Sequence, residues 1–584
     1  MEEFILLVVT HKYLDSKMND ISVDVLVIGS GNGGMTAALS SHILGLTNVL
    51  VIEKDTTYGG TSAMSGGGVW VPCNRYAKAA GATDSFDEAF SYLRETIPLE
   101  DTSDDMIKTY LKYSPEMIDC LHQNTDVRYK SLEQYPDYFS DAKGAKTGHR
   151  SMEPEPIQAN KLREHLKHQK SPNPMVKLFD RLHYTQKELH LLMGKLPGWM
   201  WIVAREAAAY FFDLPMRLRG KQSRRLTMGA AGAARLRLSL AKRDIPLSLN
   251  TKFIDFLLED GHVIGVNAEN NGDAFIIRAN KGVILASGGY EHNQDLRLEN
   301  LPQPTNSKWS SGSRCNTGDG LLAAKAIGAS SRLMNGAWWV NTISVPGEKY
   351  PRLSVFEKSL PGNYVIDSAG MRIANESQNY MAFVKELHRK YKSGESSEPY
   401  YMLFDSRHRK KYIVGPLFPG SIWPDIMIPK SYFESGFLSK GNNIKELAQK
   451  IGINDQNLER TIHQVNQYAE TGKDCDFGRG DSIHDQYYSD PKVKPNPCLA
   501  PVEKPPFYAM KLDAGDFGTL GGLEIDQHAR VLTTKGEPIH GLYATGNCAM
   551  GLLTTYPGPG ATLGPAMTFG YLAAKHIANI IDIH

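Results

Sequence analysis

The stretch VDVLVIGSGNGGMTAALSSHILGL, residues 23–46, decides the fold. Its first six residues, Val23 to Ile28, form a short apolar run that predicts a buried parallel strand. The run leads into the turn Gly29-Ser30-Gly31-Asn32-Gly33-Gly34 and then into a helical pattern. A second apolar run, residues 49–52, ends in Glu53. This order predicts a dinucleotide-binding unit, with pyrophosphate at the helix N-terminus and a ribose at Glu53.

The segment after Glu53 favours FAD over NAD as the dinucleotide. Residues 54–72, KDTTYGGTSAMSGGGVWVP, are dense in Gly, Ser and Thr, and so offer many donors and little bulk to a long ligand lying across them. Two further strand-to-glycine-turn patterns are KGVILASGGYEHN, residues 281–293, and GLYATGNCAMG, residues 541–551. We therefore expect an extended FAD held by segments from both ends of the chain.

The composition excludes several classes of protein. The 584 residues are too many for one ordinary core, and 65 Lys and Arg against 64 Asp and Glu give no net basic charge for nucleic acid. The six cysteines are scattered without metal-ligand spacing, which fits a reducing compartment and predicts neither a disulfide framework nor a metal site. The N-terminus opens with two acids and has a short apolar run, so it predicts no signal peptide. We expect residues 1–19 to be an extension, and the location to be cytoplasmic.

The C-terminal stretch TYPGPGATLGPAMTFGYLAAKHI, residues 555–577, places a tyrosine before a Pro-Gly turn that feeds a helix. Bare N–H groups in such a turn suit a developing oxyanion or the edge of a cofactor. A helix cap with a buried tyrosine would produce the same pattern.

The chain resembles the fumarate reductase and succinate dehydrogenase flavoprotein superfamily, and within it the 3-ketosteroid Δ1-dehydrogenases. The resemblance covers residues 20–584 and is carried by DVLVIGSGNGG, EKDTTYGGTSAMSGGGVWVP, ASGGYEHN, NTGDGLLAAKAIGA, DPKVKPNP, GTLGGLEID and TYPGPGATLGPAMTFGY. These motifs and the glycine turn give the predicted FAD-binding residues: Gly29, Ser30, Gly31, Asn32, Gly33, Gly34, Glu53, Lys54, Gly59, Gly60, Thr61, Ser62, Ser65, Gly66, Gly67, Ala286, Ser287, Gly288, Asp319, Gly546, Asn547, Thr562 and Leu563.

The resemblance also implies four catalytic residues. Tyr556 and Gly560 would bind the 3-keto oxygen of a steroid, and Tyr380, in NESQNY, would remove a proton from carbon 2. Tyr138 would assist Tyr380, although Tyr135, three residues away, is easily confused with it. The implied reaction is the FAD-dependent conversion of a 3-oxo-4-ene steroid to the 1,4-diene in steroid degradation, with a quinone-type acceptor receiving the electrons.

Two related activities remain as alternatives. A fumarate reductase-like enzyme carries an HTMGG-like histidine motif, whereas FGTLGG, residues 517–522, has no histidine. A 3-ketosteroid Δ4-dehydrogenase is disfavoured by the PGPG turn after Tyr556, on resemblance alone. The early glycine loop also lacks histidine, so the sequence predicts noncovalent FAD and a largely apolar substrate.

The motif positions predict a discontinuous α/β, Rossmann-like FAD-binding domain, residues 20–340 and 515–584. An α+β catalytic domain, residues 341–514, would be inserted into it, with the site in the cleft between the two. Residues 155–228 look like an addition. From Lys161 to Arg225 there are 14 Lys or Arg and 5 Asp or Glu, beside the aromatic stretch PGWMWIVAREAAAYFF. This pattern suits peripheral contact with the inner face of the cell membrane, or a helical lid.

Overall fold

A computed structural model describes residues 21–178, 181–193, 196–219 and 223–579. The predicted N-terminal extension, residues 1–19, lies outside the described residues, as do residues 220–222 within the basic cluster. None of the described helices is both long and apolar enough to cross a membrane.

The largest sheet has eight strands and is built around the opening stretch. Ile21–Ile28 lies at its centre and pairs in parallel with Val49–Ile52 on one side and with Asp273–Leu285 on the other. Along the sheet the strand order is Leu247–Ser248, Val49–Ile52, Ile21–Ile28, Asp273–Leu285, His262–Asn270 and Thr251–Glu259. The late strand Pro538–Ala544 also pairs in parallel with Asp273–Leu285, and Arg530–Leu532 pairs with it at the edge. Both ends of the chain therefore build one sheet.

Helices cover this sheet. The first of them is buried along most of its length, because it lies between the sheet and two other helices. Asn32–Ile43 packs against the last helix, Leu563–Asn579, and against Met228–Ala241. Gly570 makes the first of these contacts possible, since a Cβ there would lie 2.6 Å from the Gly33 carbonyl oxygen. The other helices of this part of the chain are Gly60–Met64, Arg75–Ala79, Phe86–Thr96, Asp104–Asn124, Gln294–Asn300 and Asp319–Ala326.

A second, antiparallel sheet lies between these two parts of the sequence. Its four strands have the order Asn363–Ile366, Tyr400–Asp405, Phe507–Leu512 and Leu438–Gly441. Alternate residues of these strands enter different cores: Tyr401 and Leu403 pack in a separate cluster with two helices, whereas Met402 and Phe404 belong to the main core. The helices here are Tyr380–Ser393, Ser406–Lys411, Lys430–Glu434, Ile444–Ile451, Asp455–Thr471 and Ile483–Tyr487.

The predicted mixed α/β fold is confirmed, whereas the residue limits of the two domains stay a prediction. Short strand pairs join the regions on either side of the proposed limits: Ala337–Trp339 with Asp516–Thr519, and Ser331–Arg332 with Gly522–Leu523. A three-stranded sheet, Val69–Trp70, Ser151–Pro154 and Tyr129–Ser131, supports the loop that carries Tyr138.

The added segment, residues 155–228, contains Gln186–Met193, Trp199–Phe211 and Leu214–Arg219 as α-helices, with two 3-10 turns at Ala159–His168 and Pro174–Val176. It has a small core of its own, made of Leu182, Tyr184, Ile202 and Tyr210. Leu189 and Met193 pack instead into the main core, so the segment is anchored to the body of the protein.

Candidate active site

One continuous cavity runs from the first glycine turn to a group of buried tyrosines. All the predicted FAD-binding residues except Gly59 line it, and so do the four predicted catalytic residues. Gly59 lies behind the wall, where its N–H donates to Ser30 Oγ at 3.0 Å. Segments that are distant in the sequence thus converge on a single elongated site.

The nucleotide end of the cavity is shaped by glycine backbone. Gly29 has φ +109°, and a Cβ on it would lie 2.2 Å from the carbonyl oxygen of Ala286, which directly follows the neighbouring strand. No side chain caps the following helix at Gly31, and no acid occupies its first turn. The N-terminus of this helix can therefore receive an anion.

Polar side chains around this turn fit a dinucleotide. The Glu53 carboxylate accepts hydrogen bonds from the Ser30 hydroxyl at 2.7 Å and from the Asp55 N–H at 3.0 Å, and it retains lone pairs on the cavity side. The side-chain amide of Asn32 is fully buried at the wall, and neither its nitrogen nor its oxygen has a partner. A buried amide without partners is costly, so Asn32 is suited to a ligand that supplies them.

Charged residues hold the loops around the same end. Lys54 pairs with Asp319 at 2.5 Å, so the structure joins two residues predicted separately for the cofactor. Lys170, from the added segment, contacts Asp55 and donates to Ser313 Oγ at 2.8 Å. The donor set, the glycine turn and the length of the cavity together fit FAD.

The other end of the cavity holds the predicted catalytic tyrosines. The Tyr138 hydroxyl donates to the Tyr380 hydroxyl at 3.4 Å, and the ring centroids of Tyr380 and Tyr556 are 5.4 Å apart. Phe517 and Trp338 pack edge-on against Tyr556, with centroids at 5.8 and 5.6 Å. All three phenols are nearly excluded from solvent.

The Pro-Gly turn brings the Tyr556 hydroxyl and the Gly560 N–H together. Burial raises the pKa of Tyr556, whereas hydrogen bonds with Tyr380, Thr562 and the Gly560 backbone act in the opposite direction. Tyr556 has φ +59°, in the left-handed region that non-glycine residues seldom adopt. At Gly560, φ is +98° and a Cβ would lie 2.4 Å from the Gly68 carbonyl carbon, so only glycine fits.

Neighbouring segments clamp this turn. The Pro557 carbonyl accepts from the Tyr138 N–H at 2.8 Å and from the Tyr92 hydroxyl at 2.5 Å. The Pro559 carbonyl accepts from Ser151 Oγ at 2.8 Å. The turn and the loop that carries Tyr138 are thus fixed to each other.

Burial dominates the acid–base properties of Tyr380. It holds the pKa of Tyr380 well above the usual value, and the proximity of Tyr556 and Tyr135 adds to the rise. The hydrogen bond from Tyr138 lowers the pKa of Tyr380, but burial outweighs it.

Several residues of this end were not predicted. Tyr135, named only as a residue easily confused with Tyr138, bonds to it at 3.2 Å and to Tyr488 at 2.7 Å. Gln186 and Leu189 of the added segment also line the cavity. No short motif marks Tyr488 or Gln186, since each is placed by folding rather than by local pattern.

The lining is largely apolar around the tyrosines, and among the described lining residues only Lys54 is cationic. The apolar and aromatic residues at this end are Leu132, Met175, Val176, Leu189, Leu353, Val355, Phe356, Tyr488 and Phe517.

Comparison with known proteins agrees with this geometry. Residues 24–563 match the FAD binding domain family. The 3-oxosteroid 1-dehydrogenase of Mycobacterium tuberculosis is 38% identical over 576 residues, covering 95% of this chain and 98% of the relative. A 4-oxocyclohexanecarboxylate 2-dehydrogenase of Sinomonas cyclohexanicum is 33% identical, covering 95% and 93%.

A solved structure is similar over almost the whole chain. The 3-ketosteroid delta1-dehydrogenase of Sterolibacterium denitrificans, in complex with 1,4-androstadiene-3,17-dione, has a TM-score of 0.92 and 42% identity, covering 96% of this chain and 100% of that one. The chain therefore belongs to the family of FAD-binding oxidoreductases that includes the 3-oxosteroid 1-dehydrogenases.

Proposed function

We propose that this protein is an FAD-dependent 3-oxosteroid 1-dehydrogenase, which converts a 3-oxo-4-ene steroid to the 1,4-diene. The observation that carries the proposal is the convergence of the Tyr380 hydroxyl, the Tyr556 hydroxyl and the Gly560 N–H at the apolar end of the FAD cavity. A base and two oxyanion donors in one dry pocket are what α-proton removal from a ketone requires.

Tyr556 and Gly560 bind the 3-keto oxygen of the substrate. Removal of a proton from carbon 2 creates enolate charge on that oxygen, and two fixed donors stabilise this charge more than they stabilise the neutral ketone. Such donors contribute about 3 kcal/mol each to lowering the barrier. The clamped Pro-Gly turn keeps both donors in place without reorganisation.

Tyr380 accepts the carbon-2 proton, and its oxygen must be ionised to do so. Tyr138 donates to that oxygen, which stabilises the phenolate. Bound FAD supplies the two-electron acceptor for oxidation across carbons 1 and 2, and a quinone-type acceptor then takes the electrons. The nucleotide-end residues around Asn32 and Glu53 hold the FAD without a covalent bond.

The lining favours a steroid over a carboxylate substrate. Fumarate, succinate and 4-oxocyclohexanecarboxylate all carry negative charge, which needs a buried cation or several donors. Among the described lining residues the only cation, Lys54, is already paired with Asp319. The tyrosine end instead offers aliphatic and aromatic surface.

Anaerobic bleaching of the flavin tests this function directly. Purified holoenzyme should lose its yellow colour with 3-oxo-4-ene steroids, and mass and NMR analysis should show the 1,4-diene. Bleaching by succinate or 4-oxocyclohexanecarboxylate, with none by steroids, would reject the proposal. Bleaching by a 4,5-saturated 3-ketosteroid to give only the 4-ene would identify the Δ4 activity instead.

We further propose that the outer face of the added segment contacts a membrane surface, so that the enzyme is peripheral on the inner face of the cell membrane. Large apolar side chains project from two consecutive helices and the turn between them: Trp201 is 70% exposed, Phe212 84% and Leu218 90%. Its inner face, with Gln186 and Leu189, lines the cavity. A steroid dissolved in the bilayer would therefore meet the segment on its way to the site.

Ion pairs within this segment hold some of its basic residues. Arg225 pairs with Glu188 and Glu206, and Arg224 pairs with Asp213. These pairs hold Arg224 and Arg225 in place, but the segment still carries more Lys and Arg than Asp and Glu. Apolar burial of the exposed side chains and attraction of the remaining basic residues to anionic lipid should both contribute to membrane contact.

A further inference from the structure

A line of hydrogen-bonded side chains leads from Tyr380 away from the cavity end where the ketone binds. Tyr138 contacts Tyr380 at 3.4 Å between hydroxyl oxygens, and Tyr135 contacts Tyr138 at 3.2 Å. Tyr488 contacts Tyr135 at 2.7 Å, and the side-chain amide of Gln186 donates to the Tyr488 hydroxyl at 3.1 Å. All four phenols are at least nine-tenths buried.

The direction of every bond in this line is fixed by counting protons. A phenol has one hydroxyl proton, and that of Tyr138 is donated to Tyr380. Tyr135 must therefore be the donor to Tyr138. Since this uses the only proton of Tyr135, Tyr488 must be the donor to Tyr135, and the Gln186 amide donates to Tyr488 in turn. Every donor points towards the Tyr380 oxygen.

We propose that Gln186, Tyr488 and Tyr135 are positioning residues that, through Tyr138, stabilise the ionised form of the Tyr380 base. Hydrogen bonds that point the same way polarise one another in a dry interior, so a donor strengthens when its own oxygen accepts a bond. Each member of the line makes the next phenol a better donor. The effect on Tyr380 decreases with distance along the line.

The residues packed around the line are neutral, so they do not stabilise the Tyr380 phenolate by charge. Tyr556 faces Tyr380 from the Pro-Gly turn, and burial raises the pKa of both phenols. His484 packs against Tyr138 with ring centroids 4.7 Å apart, and burial lowers its pKa to about 3, so it is neutral. His190, which stacks on Tyr487, is neutral for the same reason, with a pKa of about 4.

The charged groups described nearby act on Tyr488, at the far end of the line, or on residues beside the line. Burial raises the pKa of Glu357, which acts on Tyr488, to about 7, and it also raises that of Glu153, which acts on Tyr487, to about 7. Burial lowers the pKa of Lys358, beside His484, to about 7. Among the described residues that most affect the pKa of Tyr380, none is a cation. Stabilisation of the phenolate thus depends on hydrogen-bond donors.

The line also connects the added segment to the base. Gln186 begins the helix Gln186–Met193, and its own N–H donates to the buried Glu153 carboxylate at 2.5 Å. The segment that forms the outer apolar face therefore holds the last donor of the line. A movement of the added segment that displaced Gln186 would therefore change the proton affinity of Tyr380.

Two substitutions and one matched control test the inference, which rests on Tyr380 being the base. Tyr135→Phe and Tyr488→Phe each remove one hydroxyl and keep the ring. We expect kcat to fall about tenfold in Tyr135→Phe and about threefold in Tyr488→Phe, with KM nearly unchanged, because polarisation is lost one and two bonds from Tyr138. The rise of kcat with pH should move to higher pH in the same order.

Tyr487→Phe is the matched control. Its ring stacks on Tyr135 with centroids 4.4 Å apart, and none of the bonds of the line involves its hydroxyl. The pH profile of this variant should match that of the wild type. A shift in Tyr487→Phe as large as that in Tyr488→Phe would mean that packing causes the effect, and would overturn the proposal.

An ultraviolet titration of tyrosinate separates this inference from the proposed activity. It uses the FAD-loaded protein without steroid, and follows the component that is lost in Tyr380→Phe. We expect this component to ionise at higher pH in Tyr135→Phe and Tyr488→Phe. An unchanged titration in both variants overturns the inference. A shifted titration in a protein that turns over no steroid supports the line and rejects the steroid activity.

Discussion

The Tyr138 hydroxyl donates to the Tyr380 hydroxyl at 3.4 Å, although the two residues are 242 positions apart in the sequence. Tyr138 lies on a loop fixed to the Pro-Gly turn, and Tyr380 begins a helix that follows the first strand of the antiparallel sheet. This hydrogen bond therefore joins the FAD-binding part of the chain to the part that contains the antiparallel sheet. The following expectations depend on it or on the cavity around it.

Tyr380→Phe should lower turnover by about two to four orders of magnitude while leaving the yellow colour and steroid binding intact. Only the proton acceptor is removed, and general bases contribute about 10²–10⁴-fold to rate. Single-turnover flavin reduction measures the loss. Tyr391→Phe, on the same helix but away from the cavity lining, is the control. Flavin reduction near the wild-type rate in Tyr380→Phe would remove this residue from the mechanism.

Tyr556→Phe should raise KM and lower kcat together, because the donor binds the ketone in the ground state and binds the developing enolate oxygen more strongly in the transition state. We expect kcat to fall about 10²–10³-fold, as for loss of one oxyanion-hole donor. A 3-deoxy steroid should bind without flavin reduction in the wild type. Product from the 3-deoxy compound would contradict enolisation as the first step.

The rate of flavin reduction should rise with pH. Burial holds the pKa of Tyr380 well above its usual value, so the phenolate is the minor form at neutral pH. The active fraction, and with it kcat, should increase about tenfold per pH unit until the pH approaches that pKa. Tyr138→Phe removes a donor to the phenolate, raises the pKa of Tyr380 further and lowers the rate at every pH below it. A profile that is flat from pH 7 to 9 would argue against a phenol as the base.

Asn32→Ala should weaken FAD binding about 10–100-fold, because a ligand that satisfies the buried amide gains about 1–3 kcal/mol. The stability of the FAD-free protein should not fall, since the amide has no partner within the protein. Fluorescence titration of the released flavin measures the affinity. Ser40→Ala is the matched control: its hydroxyl is also buried without a partner on the same helix, but it does not line the cavity. Equal losses in both variants would contradict a contact between Asn32 and FAD.

Phe212→Ser and Leu218→Ser should reduce co-sedimentation with lipid vesicles, and should leave flavin content and turnover of a small soluble steroid unchanged. Each removes an exposed apolar side chain, worth about tenfold in partition if it inserts into the acyl boundary. Ile426→Ser, which alters another highly exposed apolar side chain on the antiparallel-sheet part of the chain, is the control. Wild-type protein that stays in the supernatant at low and high salt would refute membrane contact.

The sequence predicted the residues of the nucleotide end, but only some of the residues around the catalytic tyrosines. The glycine turn at Gly29 has a local signature because backbone geometry demands glycine there. Tyr556 and Gly560 could be predicted as a pair because both lie within five residues, in one Pro-Gly turn. Tyr488 and Gln186 carry no such mark, since their contacts form only when the added segment folds over the cavity.

The added segment shows a second limit of sequence reasoning. Its basic excess suggests attraction to anionic lipid, yet not every basic residue is available for it, since Arg225 lies between Glu188 and Glu206 in the fold. A count of charges along the sequence cannot reveal that these acids are partners. The exposed aromatic side chains, by contrast, follow from helical spacing and an apolar stretch that exceeds what the small core can bury.

The last helix, Leu563–Asn579, packs on the first, and Thr562, Leu563 and Ala566 form part of the cavity wall. During translation, the glycine turn near the N-terminus is therefore made several hundred residues before the opposite wall of the cavity. We therefore expect firm retention of the flavin only after translation of the C-terminal helix is complete. Ribosome-stalled chains ending before residue 540 should consequently emerge colourless, and a premature stop codon there should yield a protein that chaperones and proteases meet as an unliganded, half-built sheet.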